Sequence, residues 1–279
     1  MLTFAARVTV MCFAASYASA FALDLWHLFR PRPILRVLAI VFGAAGLLAH
    51  IIFLAYRAVT PAEEGGVALP LSSPMGSLLL LSLILAVFYV GEAIHHGRVA
   101  WAVFVLPIVL GLIGLAVLRE PSAAAGTGLE YYWGLAHGTL LILAAVGVSI
   151  AFIASTMYLL QLRRLQTKAQ PGEGVPLFSL ERLELMHRRA ILWSFPLLTA
   201  GLLAGFALQA YQGLLGQGWD NPRILSVVGL WLVVAILLFL RFRMHVRGRQ
   251  VAIVTMVAFA ILVVALVFSH PFVTGGGEP

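Results

Sequence analysis

The sequence predicts an all-α membrane protein, a polytopic helical bundle of about eight transmembrane helices with both termini extracytoplasmic. Of its 279 residues, 62% are hydrophobic and 10% are charged, whereas an ordinary soluble domain contains about 25% charged residues. The polar stretches between the apolar runs are too short to build a soluble domain. We therefore expect residues 1–279 to form a single transmembrane domain in the inner, cytoplasmic membrane of the cell, surrounded by the lipid bilayer.

Eight apolar runs have roughly the 20 residues that a helix needs to cross the hydrocarbon core of a bilayer. Charged residues, glycine or proline separate these runs from one another. The expected spans lie near residues 4–25, 34–56, 74–91, 99–118, 132–162, 189–212, 223–241 and 250–270. Pro107 and Pro196 fall inside two of them, where proline kinks a helix and frees backbone carbonyl groups.

Basic residues are divided unequally between the two sides of the predicted bundle. One side collects fourteen of them, which are Arg30, Arg32, Arg36, Arg98, Arg163, Arg164, Lys168, Arg182, Arg188, Arg189, Arg241, Arg243, Arg247 and Arg249. The other side has Arg7, Arg57, Arg119 and Arg223. The positive-inside rule makes the first side cytoplasmic. Because the basic residues cluster at the ends of spans, they orient the chain in the membrane, and we expect no nucleic-acid partner.

Two local patterns mark the region of the sixth span. Ser179 is followed by leucines and a methionine at helical spacing, which predicts a helix N-cap and a short interfacial helix leading into the span. Within the span, Gly201 and Gly205 have the GxxxG spacing that lets a neighbouring helix approach closely. We expect this neighbour to belong to the same bundle, with dimerisation as the alternative.

The eight histidines form two groups. Five lie in cytoplasmic loops or at helix ends, where we expect interfacial solvation, and these are His27, His95, His96, His187 and His245. His50, His137 and His270 instead lie in the outer half or at the outer edge of spans two, five and eight. His50 precedes Arg57 by seven residues, which places it about 10 Å below the outer interface. An imidazole in hydrocarbon must face the bundle and have a partner, so His50 is a functional candidate.

His137 and His270 are expected at a compatible depth near the outer surface. His137 follows Tyr131, Tyr132 and Trp133, which are typical of the aromatic belt at a membrane interface. Neutral imidazole is a common ligand of haem iron, and a six-coordinate haem needs two such ligands from facing helices. The alternative is that each histidine bonds a backbone carbonyl or a serine. No other metal is expected, because the outer acidic residues are scattered over separate loops.

Five blocks follow one another along the chain in a recognisable order. They are PLSSPMGSLLLLSLILAVFYV at 70–90, FVLPIVLGLIG at 104–114, the histidine-containing run from WGLAHGTLL to LRRLQTK at 133–168, the run from SLERLELMHRR to LLAGFA at 179–207, and the run from GWDNPRILS to RGRQ at 218–250. In this order they resemble the membrane family of cytochrome c assembly proteins, the CcsA and HemX-like group, over most of residues 34–270.

The resemblance implies a set of haem-binding residues. Members of the family that handle haem hold it near the outer face, between two extracytoplasmic histidines that flank a tryptophan-rich WWD segment. His137 matches the first of these histidines, and His270 lies in the region of the second. Trp219 and Asp220 match the end of the WWD segment. His50 is similar to a histidine in the second span of HemX-like members.

The chain also departs from the family pattern. Its loop at 216–220 is short and lacks most tryptophans of a full WWD segment. The usual Asp-Pro-Lys run becomes Asp-Asn-Pro-Arg at 220–223. These departures resemble the shorter HemX-like branch of the family.

Further outer residues are candidates for contacts with the haem itself. Indole rings such as those of Trp133 and Trp219 can stack on a porphyrin. Arg223 and Arg57 can pair with the propionates through the bidentate guanidinium fork. Their alternative role is to reach the phosphate headgroups of the bilayer.

The resemblance implies an integral membrane protein of c-type cytochrome biogenesis that binds, presents or passes haem at the outer membrane face. We do not expect an enzyme, because the chain has one cysteine, Cys12, and no cysteine pair or soluble domain that could present apocytochrome thiols. We therefore expect a membrane cytochrome c assembly partner with a large extracytoplasmic domain, and apocytochrome c is a candidate partner. The alternatives are a haem-free regulatory or scaffolding subunit of the same fold, and a small-molecule or haem permease.

Overall fold

Helices account for the regular structure of the part of the chain that the structure describes. The computed structural model describes residues 9–59, 73–95, 101–118, 129–167, 175–212, 222–243 and 248–268. Within these ranges there are eight α-helices and no strand, and the helices are α1 (Val10–Phe29), α2 (Pro33–Val59), α3 (Pro74–His95), α4 (Trp101–Val117), α5 (Leu129–Gln166), α6 (Leu180–Tyr211), α7 (Pro222–Phe242) and α8 (Arg249–Phe268). The predicted all-α class is confirmed, and each helix overlaps one of the eight expected spans.

Most of these helices have the dimensions of membrane spans. In the described part of the chain, six helices are long and apolar enough to cross a membrane, and these are α2, α3, α5, α6, α7 and α8. α4 is also apolar but has 17 residues, and α1 carries Asp24 and His27 among its apolar residues. The chain is therefore a multi-pass membrane protein.

α6 is longer than the sixth span expected from the sequence. The Ser179 side chain caps it by accepting a hydrogen bond from the Arg182 backbone N–H at 3.4 Å, so the predicted N-cap is confirmed. The segment predicted as a short interfacial helix is the first part of α6, which continues without a break through Pro196 to Tyr211. No glycine or proline lies between Leu180 and Pro196, so nothing in the sequence ends the helix there.

The described helices form two groups that share one apolar core. In the first group each of α1 to α3 contacts the next helix, and α4 also contacts α1, so the four helices form a ring. Helices α5 to α8 form a second ring in the same way. Contact between α3 and α5 connects the groups. Helices that follow one another run antiparallel, as α2 and α3 show. Arg36 near the start of α2 donates to the carbonyl of Ala93 near the end of α3 at 3.1 Å. Arg57 at the end of α2 contacts Met75 at the start of α3.

Antiparallel helices give the bundle two chemically different ends. We name one the basic end. Among the described residues its arginines are Arg30, Arg32, Arg36, Arg163, Arg164, Arg182, Arg188, Arg189, Arg241, Arg243 and Arg249. The opposite end holds the starts of α3, α5 and α7 and the last turns of α2, α6 and α8, and we name it the His137 end. The positive-inside rule predicts that the basic end faces the cytoplasm.

Close contact between α5 and α6 depends on Gly147. A Cβ atom on this residue would overlap the Oγ of Ser194, which donates to the Ala190 carbonyl at 2.7 Å. Gly147→Ala is therefore expected to lower the free energy of unfolding in detergent by about 1–3 kcal/mol, the usual cost of overpacking a close contact. Adding Ser194→Ala should restore much of this loss, because the atoms then nearest to the new Cβ are 3.1 and 3.2 Å away.

Thermal unfolding of the two variants in detergent measures this difference. Gly111→Ala in α4 is the control, since a Cβ there would meet no atom within 4 Å. If Gly147→Ala and the double variant lose the same amount of stability, the Ser194 hydroxyl does not clash with the new Cβ.

Candidate functional site

His137 lies in the third turn of α5 and contacts the backbone of α6. Its Nδ1 is 2.7 Å from the carbonyl oxygen of Gly201. A carbonyl oxygen accepts hydrogen bonds and donates none, so Nδ1 carries the proton of this bond. In the neutral imidazole the lone pair then belongs to Nε2. The ring is half-buried, and its orientation is fixed by the backbone of α6.

The two glycines of the GxxxG pair allow α5 to pack closely against α6, and Gly205 leaves the space that the His137 ring occupies. A Cβ atom on Gly205 would lie 2.8 Å from both Cε1 and Nδ1 of His137, closer than real Cβ atoms approach other atoms. A Cβ atom on Gly201 would lie 2.7 Å from Cδ2 of Leu141. The expected close approach of a neighbouring helix is confirmed, and that neighbour is α5 of the same chain.

Two further candidate residues lie at this end of the bundle but on different helix groups. Trp133 precedes His137 by one helical turn and is 37% exposed. Arg57 ends α2 in the other group, where Nη1 is 3.5 Å from Sδ of Met75 and the guanidinium carbon is 5.7 Å from the centroid of the Phe53 ring. The structure therefore places Trp133 one turn from His137 on the same helix, and it packs Arg57 against residues of α2 and α3.

His50 is fully buried between α2 and α1. Its ring is stacked on Phe13 at a centroid distance of 4.1 Å and an interplanar angle of 4°. Nδ1 is 3.5 Å from the hydroxyl of Tyr17, and the buried Nε2 has no hydrogen-bond partner among the described residues. The expectation that His50 faces the bundle is confirmed. His50 and His137 belong to different helix groups.

The remaining sequence-predicted candidates lie outside the described residues. These are Trp219, Asp220, His270 and the side chain of Arg223. The chain leaves α8 at Phe268, two residues before His270.

His187 was predicted to be solvated at the membrane interface, and this prediction is wrong. The residue is 4% exposed, and its Nε2 is 2.8 Å from Oγ1 of Thr255 in α8. Because the Thr255 hydroxyl donates to the carbonyl of Val251 at 2.8 Å, it accepts from His187 Nε2–H. Nδ1 is then a buried acceptor without a partner among the described residues.

The burial of His187 follows from its position on a continuous α6. Leu183, His187, Ser194 and Leu198 recur at helical spacing and are all buried. The arginines that follow His187 in the sequence obscured this pattern, because they are typical of a solvated helix end. A helix extended back to the Ser179 cap would have placed His187 on the buried face.

A small cavity adjoins His187 at the basic end. Its volume is about 20 Å³, and its walls include Tyr158, Glu184, Arg241 and Gly248. Arg241 Nη2 lies 3.1 Å from Glu184 Oε1. A space of this size can hold one water molecule, and beside it the buried His187 lies near the half-buried pair of Arg241 and Glu184.

The chain was compared with known protein families, curated proteins and solved structures. The model of the family described as cytochrome C assembly protein matches residues 38–274. Neither the curated proteins nor the solved structures gave a match. The family match begins within α2, continues beyond α8 and includes the histidines at positions 50, 137 and 270. The chain therefore belongs to the cytochrome c assembly protein family and has a role in c-type cytochrome biogenesis.

Proposed function

We propose that this chain binds, presents or passes haem at the outer membrane face, and that His137 would hold the haem iron. The observation that carries the proposal is the 2.7 Å hydrogen bond from His137 Nδ1 to the Gly201 carbonyl. Histidines that bind metals almost always donate their other ring N–H to a carbonyl, a carboxylate or water, which fixes the tautomer and raises the basicity of the ligand. His137 meets this requirement and offers Nε2 to the iron.

The surroundings of His137 also suit a haem group. Gly205 leaves space for the imidazole against α6, and the half-exposed Trp133 can stack its indole on a porphyrin. A bound haem would be the iron porphyrin that a c-type cytochrome acquires during its maturation. The residues of this chain hold a proton on Nδ1 of His137, orient its ring and exclude lipid from one side of it.

We propose His270 rather than His50 as the second ligand. The His50 ring is enclosed by Phe13 and Tyr17 and could reach a porphyrin only if α1 moved. α8 in contrast packs against α5, with Phe152 and Phe259 stacked at 3.9 Å. α8 ends at Phe268, at the same end of the bundle as His137 and two residues before His270 in the sequence, so we propose that His270 is the ligand that faces His137.

Charge and family membership support the outer location and a partner. The basic end lies opposite His137, so the positive-inside rule directs His137 outward. There Trp219, Asp220, Arg223 and Arg57 are proposed to contact the porphyrin and its propionates. The family implies a membrane-embedded assembly complex. We propose that its other member is a membrane protein with a large extracytoplasmic domain that brings apocytochrome c, because this chain has a single cysteine.

His137→Ala is expected to lower haem affinity by at least about tenfold, since even changes to the outer-shell partners of metal ligands typically cost ~10–100-fold. The purified chain is reconstituted with haem in detergent, and the Soret band of bound haem is recorded. His270→Ala should also weaken the band, and His50→Ala should retain it.

His95→Ala is the matched control for this experiment. His95 Nδ1 also contacts a backbone carbonyl, that of Gly91 at 2.8 Å, but it lies at the basic end. Its replacement should leave the Soret band unchanged. A wild-type chain that takes up no haem, or a full band in His137→Ala, would overturn the proposed function.

A further inference from the structure

A groove of about 490 Å³ runs between α3, α5 and the first half of α6, on the side of the basic end. Its volume lies in the range of roughly 300–1,000 Å³ that is typical of small-molecule sites. Leu143, Val146 and Ile150 line it from one face of α5. Arg182 and Arg189 line it from α6. The groove therefore has an apolar wall and a cationic border.

The charges along the groove favour an anion. The guanidinium carbon of Arg182 lies 4.2 Å from the centroid of the Phe178 ring, which holds this side chain at the border of the groove. Arg189 follows seven residues later, about 10 Å further along the helix, and both arginines are exposed. Glu92 of α3 also lines the groove, so among the described residues that line it two cationic side chains accompany one carboxylate. Arginine binds phosphate through its planar, bidentate fork.

The groove opens towards the bilayer. At its border Leu143 is 41% exposed and Trp193 is 73% exposed. These large apolar side chains belong to α5 and α6, which are both long and apolar enough to span a membrane. A molecule that enters the groove from this direction comes from the lipid phase.

We propose that this groove binds a phospholipid with an anionic headgroup. Its phosphate is held by Arg182 and Arg189, and an acyl chain lies along Leu143, Val146 and Ile150. Basic pockets between transmembrane helices on the cytoplasmic side of membranes bind anionic headgroups in this way. The site is separate from His137 and does not depend on haem binding. Because α3 belongs to the first helix group and α5 and α6 to the second, the bound lipid joins the two groups.

Native mass spectrometry of the full chain in detergent tests the proposal. Phosphatidylglycerol and phosphatidylcholine are added separately, and the fraction of protein that retains each lipid is measured. We expect preferential retention of phosphatidylglycerol. Arg182→Gln/Arg189→Gln should lower this retention on the order of tenfold and leave the retention of phosphatidylcholine unchanged.

Arg188→Gln/Arg243→Gln is the matched control. It removes the same charge from the same end of the bundle, but Arg188 lies over Phe242, at 5.4 Å from the ring centroid, and neither residue lines the groove. This variant should retain phosphatidylglycerol like the wild type. Val146→Trp, which fills the groove without changing its charge, should also lose the lipid.

Three outcomes would overturn the proposal. The first is equal retention of the two lipids by the wild type. The second is an equal loss of phosphatidylglycerol in the two double arginine variants, which would show that total charge and not the groove selects the lipid. The third is full retention of phosphatidylglycerol by Val146→Trp, which would show that the lipid binds outside the groove.

Discussion

Gly205→Ala is expected to displace His137 and to lower haem affinity by about 10–100-fold, the usual effect of disturbing the outer shell of a metal ligand. The new Cβ would lie 2.8 Å from two atoms of the imidazole ring. The ring cannot move away without lengthening its hydrogen bond to the Gly201 carbonyl. The contact between α5 and α6 should lose about 1–3 kcal/mol through overpacking. The Soret band of the reconstituted chain and its thermal unfolding in detergent measure the two effects.

Gly134→Ala is the control for this substitution. Gly134 precedes His137 by three residues on α5, and a Cβ there would meet no atom within 4 Å. Since alanine stabilises a helix by about 1 kcal/mol relative to glycine, this variant should be at least as stable as the wild type and should bind haem normally. If Gly205→Ala behaves like Gly134→Ala in both measurements, His137 is not held against α6.

Thr255→Val is expected to destabilise the second helix group by about 1–3 kcal/mol, because it leaves the buried Nε2–H of His187 without an acceptor. His187→Phe alone should also be destabilising, since it places an apolar ring against the Thr255 hydroxyl. The double variant His187→Phe/Thr255→Val should be more stable than the two single losses predict, because replacing both partners by apolar groups can be nearly neutral. The free energy of unfolding in detergent provides the comparison.

Thr139→Val is the matched control for the change from threonine to valine. Its hydroxyl donates to the Leu135 carbonyl of its own helix at 2.7 Å, so we expect a smaller loss than for Thr255→Val. If the losses of His187→Phe and Thr255→Val simply add in the double variant, the two side chains act independently and the bond between them contributes no stability.

The helices could be predicted from the sequence because a run of about 20 apolar residues has few alternatives to a membrane span. The start of α6 is the largest error, since it begins at Leu180 rather than near residue 189. The segment before residue 189 was predicted to be a short interfacial helix leading into the span, and in the structure it is continuous with the span. The helical spacing of Leu183 and His187 correctly indicates that one face of this segment is buried in the bundle.

The contacts between helices could not be predicted in the same way. The expected depth of His50 in the membrane identified it as a residue that must face the bundle. It did not identify Phe13 or Tyr17 as the neighbours of His50. The GxxxG pair and His137 were both recognised, but nothing in the sequence showed that they meet. A helix that is apolar on all sides has no preferred face in its hydrophobic pattern, so rotation and axial register are determined by side-chain fit.

The division of the helices into two rings has a consequence for the order of assembly during synthesis. Membrane helices associate after insertion, and domains generally fold from the N-terminus onwards as the chain is made. α1 to α4 have partners within their own ring, so His50 can reach its final surroundings while the ribosome is still translating later spans. His137 acquires its carbonyl partner from α6, and His270 follows the last helix. A nascent chain therefore completes its first helix group before the proposed haem site can form.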